Sequence, residues 1–402
     1  MQSLIGVLVA FVVLGTLIYK KVGFGYSILI AVGVLLALSN PTLEGVNWLF
    51  EISLEFETIE LILIINMIAF LGFLYSDSGQ VMRMIKELRG AVPDRRLVIA
   101  SIPAIFGLMP MPGGALVSAP MIDDEGDELN VDPVHKTFLN WWFRHIWFTI
   151  YPLSLGLILA SSISGVSLYR IAMYNIPIFA VQIICGVIWG IGGIEAVKSE
   201  KLSTKPLLLV WELMPIILAL SLNIIFGIPF YLTLPIAIVF LLFQNREEYD
   251  LIKLPSTAKQ GLSFNLILAA YGIMLFKGII ERTNGIAPVV SSLQNHVPIF
   301  LVVVMVALAI GMFLGHLPSA VGIGVPVLLP LISTVSVRTV GVIYLFTFLG
   351  YVLSPIHLCI ILTVEYFGTD LKAFYSHIWK PTIVLIVFIF VWIAITGAVF
   401  LF

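Results

Sequence analysis

The chain has 402 residues, of which 60% are hydrophobic and only 11% charged, against roughly a quarter charged in an ordinary soluble domain. A net charge of −2 gives no basic footprint for nucleic acid. Apolar runs of about twenty residues recur, enough to cross a ~30 Å hydrocarbon layer as helix. They lack the ten-residue alternation of a barrel. An all-α polytopic membrane protein is predicted, since lipid offers no partner to a bare peptide group.

In chain order, Ser3–Ile18 lacks a basic leader and a cleavage site and ends at Lys20-Lys21, so a retained helix is expected. Spans are predicted near 3–19, 23–39 and 58–75. Residues 78–90 put Val81, Met82, Ile85 and Leu88 on one side and Arg83, Lys86 and Arg89 on the other, as in an in-plane interfacial helix. The stretch 97–122 is apolar but broken by Pro and Gly, and the acidic segment 123–132 reads as a solvated loop without metal-ligand spacing. Spans follow near 137–163, 170–194, 206–225, 229–244 and 262–281, with Lys277 and Glu281 spaced for an i,i+4 pair. Ile286–Leu293 is a weaker counterpart of the interfacial helix, 298–332 is again apolar and broken, and spans near 341–366 and 380–402 complete the chain. Cys185 and Cys359 lie in apolar runs and read as buried thiols.

The two broken stretches carry the same punctuation. PGGALVSAP (112–120) and PSAVGIGVP (318–326) match at a shift of 206, as do Phe70 with Phe276, Gly72 with Gly278 and Gly79 with Gly285. Further on, YPLSLGLIL (151–159) lies over SPIHLCIIL (354–362) at a shift of 203, with Pro152 on Pro355. The chain therefore reads as two copies of one unit, 1–200 and 201–402. Helices broken at corresponding places in two halves point to a transport site.

Basic residues settle the expected topology. If 97–122 and 298–332 are re-entrant hairpins, sixteen of the 21 Lys and Arg lie on the cytoplasmic face. Arg170, Arg282 and Arg338 lie outside, while Arg144 and Lys277 fall within spans. If both stretches cross, the asymmetry collapses. The hairpin arrangement inverts the second copy relative to the first and leaves both termini outside. It implies about ten transmembrane helices plus two hairpins, in a plasma or inner membrane.

Chemistry is expected where the hairpins turn and the helices break. Pro112, Gly113 and Gly114 at one tip, and Pro318, Ser319 and Ala320 at the other, stop one helix and start the next. The free N–H groups and dipole of the new helix favour an anion. Ser118 lies one turn inside the first motif. Tyr151-Pro152 and Ser354-Pro355 interrupt their spans, making Tyr151, Ser154, Ser354 and His357 available to a site. Arg144 suits a carboxylate or phosphate, although it could equally snorkel to the cytoplasmic interface beside Trp141, Trp142 and Trp147. His145, His316 and His357 are candidates for coupling transport to protons, or are helix-packing groups. No protease, nucleotide or nucleophile motif is present, so no enzyme, cofactor or metal centre is expected.

Hairpin tips of Pro, Gly and Ser, a broken helix after each and inverted halves resemble the ion transporter superfamily, which includes gluconate, citrate, dicarboxylate and arsenite permeases. FRHIWFTIYPLSLGLILA and FKGIIERTNG resemble an uncharacterised branch of it. The resemblance implies an elevator in which hairpins and broken helices move against a scaffold made of the first three spans of each copy. It also implies a homodimer. The tips here lack the Ser-Asn-Thr of sodium-coupled dicarboxylate carriers, which favours H⁺ over Na⁺ as coupling ion. Together these expectations describe a secondary transporter of a small anion, an organic carboxylate. The alternative is a translocase of a lipid phosphate or other anionic headgroup.

Overall fold

The computed structural model describes residues 2–109, 114–197, 206–249, 254–283 and 297–402, and among these there are helices and turns but no strand. The first helices are α1 (Gln2–Tyr19), α2 (Phe24–Ser39), α3 (Leu43–Leu54), α4 (Phe56–Asp77) and α5 (Gln80–Ala91). Then come α6 (Arg95–Leu108), α7 (Gly114–Glu128), α8 (Pro133–His145), α9 (Leu155–Ser164) and α10 (Leu168–Cys185). The second half continues with α11 (Pro206–Phe226), α12 (Phe230–Gln244), α13 (Leu254–Gly261) and α14 (Phe264–Thr283). It ends with α15 (Ile299–Leu314), α16 (Leu317–Leu328), α17 (Val337–Leu353), α18 (Leu358–Tyr366) and α19 (Leu371–Ile395). Among the described residues, six helical stretches are long and apolar enough to cross a membrane, including α4, α11, α14 and α19, and several shorter apolar helices accompany them.

Polar residues fix where helices begin. Asp94 accepts from the Arg96 N–H at the head of α6, Asp132 from His135 at α8, and Asp370 from Ala373 at α19. Ser336 and Thr339 cap α17 reciprocally. Each cap satisfies donors that the first helical turn leaves free.

The helices pack as two bundles. One joins α1–α5 with α11–α14, through α1 on α2, α14 on α2 and α4, and α11 on α12 and α5. The other joins α6–α10 with α15–α19. The bundles meet chiefly where α14 packs on α16, with smaller contacts of α4 on α9 and α5 on α6.

Two hairpins organise the second bundle. Arg95, at the start of α6, reaches Glu125 at 2.7 Å and also Glu128, both at the end of α7, so the chain returns to its starting side. The 14 residues of α6 rise about 21 Å, short of a full crossing. In the second hairpin only Gly315 and His316 separate α15 from α16. Gly315 has φ +57°, a left-handed conformation that glycine adopts without a Cβ penalty. Both ends of that hairpin lie by the chain's C-terminus: Phe300 packs on Phe402 and Ser333 donates to the Leu401 carbonyl.

Close packing of each first arm depends on a glycine. A Cβ on Gly107 would lie 2.2 Å from the Arg144 carbonyl oxygen, and one on Gly311 would lie 2.2 Å from that of Thr347.

Several expectations need correction. Residues 123–128 are helical, the last turns of α7, where Asp123, Glu125, Asp127 and Glu128 are each paired with a basic side chain. Glu125, 5% exposed, is held by Arg89 and Arg95 at 2.7 Å each. Lys136, 3% exposed, bridges Asp123 and Asp127 at 2.6 and 2.5 Å. Only 129–132 remain as a connection. The helix expected at 78–90 is α5, but Met84 faces inward and Met82 is exposed. Its Arg83 pairs with Glu212 of α11. Lys277 pairs with Glu57 of α4 at 3.6 Å instead of with Glu281. The helix α3 was not anticipated; its mixed polar and apolar residues are too short a run to register as a span. The last long helix begins at Leu371, nine residues before the expected start at 380. Cys185 is buried, but Cys359 is only half-buried. Ile286–Leu293 lies outside the described residues.

Candidate functional site

The breaks occur where proline removes a donor. After α8, a short 3₁₀ turn over Ile146–Thr149 leads through Tyr151-Pro152 to Ser154, and α9 starts anew. After α17, Ser354 to His357 leave the helical path before α18 begins. Freed backbone groups find side-chain partners. Asn175 donates to the Thr149 carbonyl at 3.0 Å, and the Tyr344 hydroxyl donates to that of Phe148. Tyr375 donates to Leu353 at 2.9 Å, and Ser354 donates to Met312 at 2.5 Å. Ser354 is thereby a fastener between α15 and the second break.

The hairpins cross over to the breaks. The second arm α7 packs on α8 and α18, and the second arm α16 packs on α9 and α17. At the tip of the second hairpin, Gly315 lies against Ile356 and Leu317 against Gly156, so this turn touches both breaks. Pro112 and Gly113 lie outside the described residues. Gly114 is buried at the head of α7 and faces Arg144: a Cβ there would stand 2.4 and 2.6 Å from the two terminal guanidinium nitrogens.

Arg144 is 5% exposed, so it does not snorkel to an interface, and Trp141 and Trp142 beside it are buried as well. Among the described residues, its Nε and Nη1 have no hydrogen-bond partner. A buried charge without a partner is costly. Aimed at a helix N-terminus, it makes a place for an anion.

Around it stand histidines and tyrosines. His145 donates from Nδ1 to the Trp141 carbonyl at 2.5 Å, and its Nε2 lies 3.2 Å from the Tyr351 hydroxyl. His357 is 1% exposed, and neither ring nitrogen has a hydrogen-bond partner among the described residues. Arg144, His145 and His316 are all within electrostatic range of His357. Tyr151 is buried with a hydroxyl that finds no partner among the described residues. Ser154 is buried at the head of α9 and makes no capping bond. His316 bonds Ser319 at 2.6 Å. With Pro318, Asn265, Leu155 and Ala269 they line a cavity of about 400 Å³, including open space, between the bundles. Ala320 is packed inside α16. Ser118 is fastened to Asn140 at 2.6 Å and to the Gly114 and Ala115 carbonyls, so it braces α7.

Sequence reasoning missed Asn140, Asn175, Gln182 and Tyr344. Asn140 accepts from Ser118 and donates to Ala115 and Thr363, tying α7, α8 and α18 together. Gln182 accepts from the Thr149 hydroxyl at 3.1 Å. For the three amides the available signal was an uncharged polar side chain within an otherwise apolar run.

The architecture is that of a polytopic α-helical membrane protein with two helix hairpins meeting two interrupted helices. Residues 1–397 match the family described as protein of unknown function DUF401, and the chain belongs to that family. No curated protein matches the chain.

Proposed function

We propose that this protein is a secondary active transporter of a small anion, with an organic carboxylate as the substrate class. The observation that carries this is Arg144, buried, without a hydrogen-bond partner for Nε or Nη1 among the described residues, and directed at the head of α7. A positive end without its negative partner suits a ligand that brings the charge and leaves with it. The substrate would lie between Gly114, Arg144 and the two breaks.

We assign an elevator mechanism and two inverted repeats, 1–200 and 201–402. Matching contacts support the repeats. The pair Gly107–Arg144 recurs as Gly311–Thr347, near the registers found in the sequence. The base of the first hairpin bonds Val197, at the end of the first half, as the base of the second lies by Leu401 at the end of the chain. The bundle of hairpins and broken helices would move against the bundle of α1–α5 and α11–α14. The largely apolar cavity beside His316 and Ser319 would lie on the sliding boundary. The resemblance to the ion transporter superfamily supports the same mechanism, a homodimer, and a plasma- or inner-membrane location with both termini outside. His316, bonded to Ser319 on that boundary, is the group we assign to proton coupling, in preference to sodium.

The test is reconstitution in liposomes with pH and sodium gradients imposed separately, after a thermal-shift screen of mono-, di- and tricarboxylates. Carboxylate uptake driven by the pH gradient is expected. Selective binding of an organic cation overturns the charge assignment, and uptake driven by sodium alone overturns the coupling assignment. Binding of lipid phosphates in preference to soluble carboxylates would replace the substrate class with a headgroup.

A further inference from the structure

The second break holds chemistry that the first does not. At the matching register, Ser154 and Gly156 of the first break correspond to His357 and Cys359 of the second. In the fold, His357 and Cys359 meet His145 from the end of α8. One donor atom from each of the three lies within 4.8 Å of the other two. The imidazole rings of His145 and His357 stand 4.8 Å apart, nearly perpendicular.

Each ligand is prepared. A carbonyl can only accept, so the bond from His145 Nδ1 to Trp141 fixes the proton there and leaves a lone pair on Nε2. A backbone carbonyl holding one imidazole nitrogen so that the other can ligate is a common outer-sphere arrangement. His357 is sealed from solvent, and beyond a loose approach to the Val352 backbone neither nitrogen has a hydrogen-bond partner among the described residues, the costly condition that a ligand would relieve. Cys359 is half-buried, leaving a path to its sulfur. The ring of Tyr351, 4.2 Å from that of His357, walls one side.

We propose that His145, His357 and Cys359 form a binding site for a soft monovalent metal ion of the Cu(I) class. Two imidazoles and a thiol, with no carboxylate among them, select soft metals over Mg²⁺ or Ca²⁺. Charge selects within the soft group. Cu(I) bound to a thiolate is neutral, whereas Zn²⁺ bound to the same thiolate keeps a positive charge beside the Arg144 guanidinium in a region poor in water. Binding replaces the Cys359 S–H proton with the metal and releases that proton to solvent. Donor atoms around one such ion sit about 3.5 Å apart given metal–ligand bonds of 2.0–2.3 Å. Side-chain rotations at Cys359 and His357 that move their donor atoms by about 1.3 Å close the present spacing, with the Tyr351 hydroxyl leaving Nε2.

This assignment stands apart from the transport proposal, and its test needs no transport. Purified full-length protein in detergent, anaerobic and reduced, is titrated against the Cu(I)–bicinchoninate complex, following chelator absorbance and the ultraviolet thiolate-to-copper band. One Cu(I) per protomer is expected. Cys359→Ser and His357→Gln should each weaken binding by ~10-fold or more and remove the band or shift it. Cys185→Ser, in the other apolar run, should leave both unchanged. Helicity and gel-filtration profiles confirm that each variant is folded, and Ag(I) repeats the titration without redox chemistry. The site is overturned by no stoichiometric Cu(I) binding, by a folded Cys359→Ser variant with wild-type affinity, or by loss of binding in Cys185→Ser. Zn²⁺ displacing Cu(I) at equal concentration overturns the assigned charge.

Discussion

Adding one methyl group at residue 114 separates function from folding. A Cβ on Gly114 would sit 2.4 Å from Nη2 and 2.6 Å from Nη1 of Arg144, and 2.9 Å from Cζ. Ordinary contact begins near 3.4 Å, so the guanidinium must withdraw by about 1 Å. It is the end of a flexible side chain and can do so. Alanine also favours helix over glycine by up to about 1 kcal/mol, so Gly114→Ala should keep wild-type thermal stability without ligand. Charge-assisted hydrogen bonds to a bound anion contribute about 1.5–3 kcal/mol, and misplacing them should weaken affinity by ~10- to 150-fold. Gly107→Ala is the contrasting variant. There the added carbon would lie 2.2 Å from a backbone oxygen, that of Arg144, so α8 itself must move off α6 and the protein should melt early. Thermal-shift titration with the carboxylate that best stabilises the wild type checks both. Wild-type affinity in Gly114→Ala would refute the placement of an anion at Arg144.

Further outcomes follow from the hairpin bases and their braces. Single cysteines at Asp127 and Ser336 should label from the cytoplasmic and the outer side respectively; labelling of residue 127 from outside alone removes the re-entrant topology. Glu125→Ala leaves Arg89 and Arg95 without their shared buried carboxylate and should cost on the order of 2–3 kcal/mol, read as a lower melting temperature. Asn140→Ala removes the amide that ties α8 to Ser118 and Ala115 of α7 and to Thr363 of α18, and should cost about 1–3 kcal/mol, with hydrogen exchange rising first in α7. The hydrogen bond from Arg95 holds the Glu128 carboxyl below its usual range, as that from Arg96 does for Asp94. A depressed folded-state value adds stability above the unfolded-state value, and that stability is lost as pH falls through the lower, folded one. Protease sensitivity at the base of α6 and α7 should therefore rise only on acidification below about pH 4, and Arg95→Gln should remove Glu128's share of that dependence.

Hairpins and breaks were legible because proline and glycine recur in register: Pro103, Pro177 and Pro381 lie inside continuous helices, so it is the match of Pro152 with Pro355 that marks the breaks. What escaped depends on partners far along the chain. The acidic run at 123–128 looks solvated until Arg89, Arg95 and Lys136 are brought to it. Lys277 sits four residues from Glu281, yet tertiary packing offers it Glu57. Arg144 could not be placed by counting from Lys136, because its burial against Gly114 is a property of α7 and α8 together. The pairing of His145 with His357 spans more than two hundred residues and has no local signature.

The shortness of the hairpin arms carries an electrical consequence. Arms of 14 and 16 residues in α6 and α15 reach about 21 and 24 Å, so under the proposed topology each turn ends within the hydrocarbon thickness. The insulating layer between the two aqueous faces is then thinnest around Arg144 and Ser319, and the membrane voltage falls most steeply there. One elementary charge carried through the whole field works against about 2.3 kcal/mol per 100 mV. An anion passing without a compensating cation would therefore produce a current while moving only a short way past the tips. Electrode recordings from proteoliposomes would count its net charge before its chemical identity was known.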